Sequence, residues 1–214
     1  MSAAREDILG RVRAALRDIP AGGESDVPIP RDYRRHSDQS RDDVVDRFAT
    51  RVAEYRATVR RVPAGDLPAA IEAILRDRNV RRLVIPDDLP AAWLPGNVQA
   101  LRDSLLSAGD LDAADGVLTG CAAGIAETGT IILDGGSRQG RRAITLVPDY
   151  HLCIVEEAQI VDLVPEAFAR LRDAAAGGRP ITLISGPSAT SDIELRRVEG
   201  VHGPRALDVL VVRA

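Results

Sequence analysis

The chain reads as an α/β protein: a mainly parallel, doubly wound sheet preceded by an N-terminal helical arm. Three observations predict this. From Thr58 onward, short apolar runs alternate with helix-period segments. Several of those runs, such as Arg82-Leu83-Val84-Ile85 and Thr130-Ile131-Ile132-Leu133, are continuous rather than alternating, as in strands covered on both faces. Before Thr58 the apolar residues recur only at helical spacing.

The arm comprises residues 1–57 and the α/β domain residues 58–214. Ser2 to Ile19 is expected to be a helix, with Ile8, Leu9, Val12, Ala15, Leu16 and Ile19 on one stripe. Such a lone amphipathic helix needs a surface, either its own domain or a neighbouring subunit. Pro20 to Gln39 is rich in Pro, Gly and charge and reads as a linker, with His36 in solvent. Ser40 to Ala57 forms a second helix with a capping pair, Ser40 and Asp43, and a buried stripe of Val44, Val45, Phe48, Val52 and Tyr55.

In the domain, Thr58–Val62 is a strand, and Asp66 caps a helix burying Leu67, Ala70, Ile71, Ile74 and Leu75. Arg82–Pro86 is the next strand, followed by an irregular stretch through Trp93 and Val98. Leu101–Leu106 is ambiguous. Strands are expected at Asp115–Thr119, Thr130–Leu133, Leu152–Val155, Ile181–Ser185 and Val209–Val212. Arg141–Val147 reads as a short helix or turn, and a helix with Pro165 in its first turn runs through Leu171 and Ala175.

Composition excludes several functions. Net charge is -4 with both signs interspersed, which gives no basic face for nucleic acid. All 28 basic residues are Arg, so there is no Schiff-base lysine and no phosphate-loop lysine. No Gly-x-Gly-x-x-Gly dinucleotide fingerprint occurs. The two cysteines, Cys121 and Cys153, match no metal or redox spacing and are half the roughly four thiolates an iron–sulfur cluster takes. They read as small buried residues. No run approaches a membrane span and no apolar signal core opens the chain, so a cytoplasmic location is expected.

Three segments carry candidate site residues. In Gly124-Ile125-Ala126-Glu127-Thr128-Gly129-Thr130, one carboxylate sits on a glycine-flanked turn beside the Thr128 and Thr130 hydroxyls, with Gly129 offering backbone N–H. Ser185-Gly186-Pro187-Ser188, running on to Asp192-Ile193-Glu194, follows a strand, as ligand loops do in α/β sheets. Gly200-Val201-His202-Gly203-Pro204 puts an imidazole among turn residues. Glu127 can serve as general base or nucleophile if burial or neighbours tune it, and His202 can shuttle a proton or orient Glu127. A bound carboxylate would take donors from Gly129, Gly186, Ser188 or an Arg. Each residue also has a plain structural reading: Glu127 as a solvated turn residue, His202 as a loop residue, Ser185 and Ser188 as turn-formers. His151, at the start of a strand, is a weaker candidate.

Taken in order, these three motifs resemble the signature of the LUD domain family, over roughly residues 58–214 and more loosely over the arm. The resemblance implies a Rossmann-like sheet similar to the sugar-phosphate isomerase and CoA-transferase fold. It implies a place in the oxidation of L-lactate to pyruvate beside two partner proteins that carry the iron–sulfur clusters, with no cofactor held by this chain. The ligand would be a small organic acid or a partner's cofactor, bound through Thr128, Gly129, Thr130, Ser185, Gly186, Ser188, Asp192, Glu194 and Gly203, with Glu127 and His202 catalytic. The arm would dock on a partner or on a second copy. One departure stands out: family members often carry a basic residue after Ser-Gly-Pro-Ser, and here the position is Ala189. An arginine from elsewhere, Arg138 or Arg142, would then hold an anion. Two other readings stay open: a stand-alone transferase or isomerase using Glu127 as nucleophile, and a binding or regulatory module without chemistry.

Overall fold

A computed structural model describes residues 3–17, 30–187 and 203–213. The chain divides into two compact units, Met1–Tyr33 and Arg34–Ala214. In the first, helix α1 (Ala3–Ala15) buries none of its residues, and Ile8, Val12 and Leu16 stand exposed at the spacing of one helix face.

In the second unit, α2 (Arg41–Glu54) starts where Ser40 accepts a hydrogen bond from the Asp43 N–H. Its Val44, Val45, Phe48 and Val52 are buried, while Tyr55 is exposed. The compact unit therefore takes in α2, which the sequence groups with the arm. The amphipathic stripe specified burial but not which surface would receive it.

The chain then runs through β1 (Thr58–Pro63), α3 (Leu67–Asp77), β2 (Arg82–Ile85), β3 (Gln99–Arg102), α4 (Ala108–Asp112), β4 (Gly116–Thr119), β5 (Ala123–Ile125) and β6 (Thr130–Leu133). It continues through β7 (Tyr150–Glu156), β8 (Ile160–Val161), α5 (Val164–Arg170), α6 (Arg172–Ala176), β9 (Thr182–Ile184) and β10 (Ala206–Arg213). The ambiguous stretch near Leu101 holds the edge strand β3. The Arg141–Val147 turn is a short 3-10 segment, Arg142–Thr145. Asp66 stands at the N-cap of α3 without a side-chain capping bond; the Pro in the first turn fixes the backbone instead.

The α/β fold expected from the sequence is present. Six strands form one sheet in the order β1-β10-β7-β4-β2-β3, with every neighbouring pair parallel. All its carboxyl ends thus lie along one edge. A second sheet, β8-β5-β6-β9, is mixed: β6 runs antiparallel to β5 and β9, and β8 parallel to β5. Two runs expected in a parallel sheet, Thr130–Leu133 and Ile181–Ser185, supply β6 and β9 of this second sheet. A continuous apolar run does not record strand direction or partner, and in β9 it does not record full burial either, since Leu183 is exposed there.

The central strands show why their sequences are apolar throughout. Cys153, Val155, Val209 and Val211 face α2 in one core, which also contains Ile131 and Leu133 of β6 and Ile160 of β8. Leu152, Ile154, Leu210 and Val212 point the other way, into the core built on α3. Successive side chains alternate faces, so a strand between two helical layers is apolar at every position. The face shared with α2 joins the two sheets.

Candidate functional site

The first two sequence motifs meet. The turn between β5 and β6 is tied back to β8: Ala126 N–H donates to Val161 O at 2.8 Å and Glu127 N–H to Asp162 O at 2.9 Å. Gly129 has φ +59°, and a Cβ there would lie 2.6 Å from the Arg51 carbonyl carbon of α2. Only glycine fits this combination of left-handed backbone and close approach. Beyond it, Thr128 Oγ1 lies 2.7 Å from Thr130 Oγ1, which lies 2.9 Å from Ser185 Oγ. Three hydroxyls from two motifs thus form one chain, and Gly186 and Pro187 are buried beside it in sequence. Gly203 is buried shortly before β10.

The Glu127 carboxylate does not enter a closed pocket. Its side chain is 47% exposed, and Arg34 Nη2 approaches to 4.0 Å. The carboxylate is open to solvent, and an exposed partner at that distance is worth little. Ser188, Ala189, Asp192, Glu194 and His202 lie outside the described residues. His151 is buried in the sheet, with Nε2 2.8 Å from Thr119 Oγ1. Cys121 and Cys153 are buried free thiols. The Cys121 thiol donates to Gln159 Oε1 at 3.5 Å and is pushed up by the neighbouring Cys153 thiol and by burial.

A larger feature lies at the carboxyl ends of β7 and β10. It is a crevice of about 590 Å³ whose lining includes Trp93, Arg138, Glu156, Arg41, Arg213 and Leu67. Open α/β sheets bind ligands at this edge, beyond the strand ends. Arg138 is its most constrained residue. It has φ +62° without being glycine. The conformation is held by Arg138 N–H donating to Asp88 Oδ2 at 2.7 Å and Gly120 N–H donating to Arg138 O at 2.7 Å. Its Nη1 donates to Glu156 Oε1 at 2.7 Å, and the guanidinium lies 5.4 Å from the centre of the Trp93 ring. A non-glycine residue kept in this region by its surroundings is a recurring mark of a functional position.

Arg41 donates to Ile160 O at 2.7 Å, and burial pushes its guanidinium down. Arg142, the other arginine considered as an anion holder, lines a separate cavity of about 290 Å³ with Gln139 and Thr182. It donates to Thr145 O at 2.9 Å, and burial lowers it too.

The hydroxyl chain and the crevice are separate places. Arg51 of α2 packs against Gly129, whereas Arg41 of the same helix lines the crevice. The ten-residue step along the helix from Arg41 to Arg51 spans about 15 Å. Sequence reasoning reached Arg138 but missed Trp93, Glu156 and Arg41. The usable signal was slight: one tryptophan in a chain with 3% aromatics, placed after Pro90 at the end of a strand-plus-loop unit.

The mainly parallel six-strand sheet flanked by helices makes this an α/β protein of Rossmann-like fold. A family model of the LUD domain matches residues 108–212. The chain belongs to the LUD domain family. It is similar to lactate utilization protein C of Deinococcus radiodurans, with 51% identity over 174 residues, covering 81% of each chain. Lactate utilization protein C of Shouchella clausii is 28% identical over 191 residues, covering 82% of this chain and 81% of that one. A crystal structure of a DUF162 family protein from Deinococcus radiodurans superposes with a TM-score of 0.72 at 45% identity, covering 81% of this chain and 99% of that one.

Proposed function

We propose that this chain takes part in lactate utilization, as a non-redox subunit of a cytoplasmic system that oxidises L-lactate to pyruvate beside iron–sulfur partner proteins. The relatives' names support the pathway. The observation that carries the subunit's own task is the arginine-lined crevice at the strand ends, suited to an anionic ligand. A small organic acid and a partner's cofactor both meet that description. Arg138 supplies the cation that Ala189 does not. Thr128, Gly129, Thr130, Ser185 and Gly186 shape the turn that presents Glu127 at the surface, where a partner or substrate can reach it. In this reading His202 acts in the chemistry, Ser188, Asp192, Glu194 and Gly203 contribute to ligand binding, and the exposed stripe of α1 docks on a partner.

Oxidising lactate requires an acceptor for a hydride or an electron pair. Two cysteines are half the thiolates of a cluster, which supports placing the electron path on the partners. The alternative with Glu127 as a stand-alone nucleophile draws no support from a carboxylate that is 47% exposed.

The test is growth on L-lactate of a strain lacking the chain, complemented with wild type, Arg138→Gln or Glu127→Gln, together with assay of the purified chain with artificial electron acceptors. Arg138→Gln is expected to fold and fail to restore growth. Robust lactate oxidation by the isolated chain would reject the accessory role.

A further inference from the structure

We propose that the crevice at the carboxyl ends of β7 and β10 binds a planar heteroaromatic molecule carrying an anionic group, and not lactate itself. This deepens the reading of the crevice as a ligand site and rests on it.

Size is the first reason. A cavity of about 590 Å³ falls in the range, roughly 300–1,000 Å³, in which sites enclose molecules of drug or cofactor size. A three-carbon acid would leave most of it to water and would touch one wall at a time.

The walls are the second reason. Leu67, Pro90, Ile154 and Val212 give apolar surface, and Trp93 adds the only indole in the chain. A small polar acid has no use for such walls; a ring does. The Arg138 guanidinium sits over the indole, 5.4 Å from its centre, so a flat cation and an aromatic ring lie side by side for a flat anionic ligand. Arg138 is fixed from three sides. Asp88 accepts from both the Ser137 hydroxyl and the Arg138 N–H, Gly120 donates to the Arg138 carbonyl, and Glu156 holds the guanidinium. A ligand therefore meets a surface that needs little ordering on binding.

Charge is the third reason. Arg41, Arg138 and Arg213 face Glu156 and Glu157. Glu157 is also met by Arg61, with Nη2 at 3.0 Å, and Arg61 is not in the lining. The balance inside the crevice is thus positive. Arg213, the last residue of β10, has no ion-pair partner among the described residues and stands at the crevice rim. It suits an exposed phosphate or carboxylate, while the ring lies inward.

The single tryptophan makes this directly readable. The full chain is titrated while Trp93 fluorescence is followed, with calorimetry on the same samples to remove optical artefacts. Adenosine monophosphate and flavin mononucleotide serve as ring phosphates. Adenosine supplies a ring without charge, inorganic phosphate a charge without a ring, and L-lactate and pyruvate the small acids. Saturable binding of at least one ring phosphate is expected, weakened about tenfold or more both without the phosphate and in Arg138→Gln. Calorimetry on Trp93→Ala, whose indole is part of the wall, is expected to show a similar loss, and thermal melts check that both variants fold. Saturable binding of L-lactate or pyruvate alone would keep the crevice as a ligand site and overturn the ring. Absence of binding by every probe would overturn both readings. Equal affinity of wild type and both variants for a ring phosphate would place that ligand elsewhere and overturn the proposal.

Discussion

Arg47 on α2 places Nη1 2.8 Å from Oδ1 of Asp162, a carboxylate whose side chain is only 1% exposed. Asp162 also accepts from the Ser37 hydroxyl, and its backbone carbonyl accepts the Glu127 N–H. One buried acid therefore fastens α2, the segment before it and the Glu127 turn to the end of β8.

Removing the cation leaves a buried charge with a hydroxyl for company. Breaking a fully buried pair from one side costs about 3–5 kcal/mol. Arg47 is about one-third exposed, and water can replace part of it. Arg47→Ala is expected to destabilise the protein by about 2–3 kcal/mol in urea unfolding, and Asp162→Asn by less, because the freed Arg47 can reach solvent.

Gly129 and Gly178 provide an internal comparison. Both have positive φ, +59° and +69°. A Cβ at Gly178 meets nothing within 4 Å, so Gly178→Ala carries only the left-handed backbone cost, roughly 1–2 kcal/mol. At Gly129 the added atom meets Arg51 main-chain atoms at 2.6 and 2.8 Å, and backbone cannot swing aside as a side chain does. Gly129→Ala is expected to cost about 2 kcal/mol more than Gly178→Ala. Parallel denaturation curves of the two variants check this.

Tyr150 gives a pH dependence with a defined sign. Its hydroxyl donates to Asp208 Oδ2 at 3.0 Å, and Arg78 holds the same carboxylate with two bonds of 2.7 and 3.0 Å. Burial, and then the Asp208 charge, push the phenol well above its ordinary value. The folded state therefore keeps a proton that the unfolded chain gives up near pH 10. The associated stability is complete below about pH 10 and is lost progressively above it. Urea midpoints are expected to fall between neutral pH and pH 11. Tyr150→Phe should flatten that fall while costing about 1 kcal/mol at neutral pH through the lost hydrogen bond.

Much of the architecture is legible in the amino-acid sequence. The double period of β7 and β10, apolar at every position from Leu152 to Val155 and from Val209 to Val212, could only suit strands covered on both faces. The stripe Val44, Val45, Phe48 and Val52 announced a buried helix face. Of the three motifs read from the sequence, the first two bring the Thr128, Thr130 and Ser185 hydroxyls together, while His202 of the third lies outside the described residues. The crevice was far less legible. Trp93, Arg138, Glu156 and Arg41 are scattered over more than a hundred residues with no shared spacing, and nothing local distinguishes Arg138 from the other arginines.

The sequence by itself determined that this chain is an α/β protein, that the apolar runs of β2, β6, β7 and β10 are buried, and where glycine is required to turn. Burial and backbone conformation are local quantities, written in periodicity and residue type. Only the tertiary structure decided that Thr130–Leu133 and Ile181–Ser185 leave the parallel sheet for a mixed one, that Glu127 faces solvent, and that a tryptophan and three arginines line a common wall. Those outcomes depend on which surfaces meet, and a contact between residues far apart in the chain has no period to reveal it.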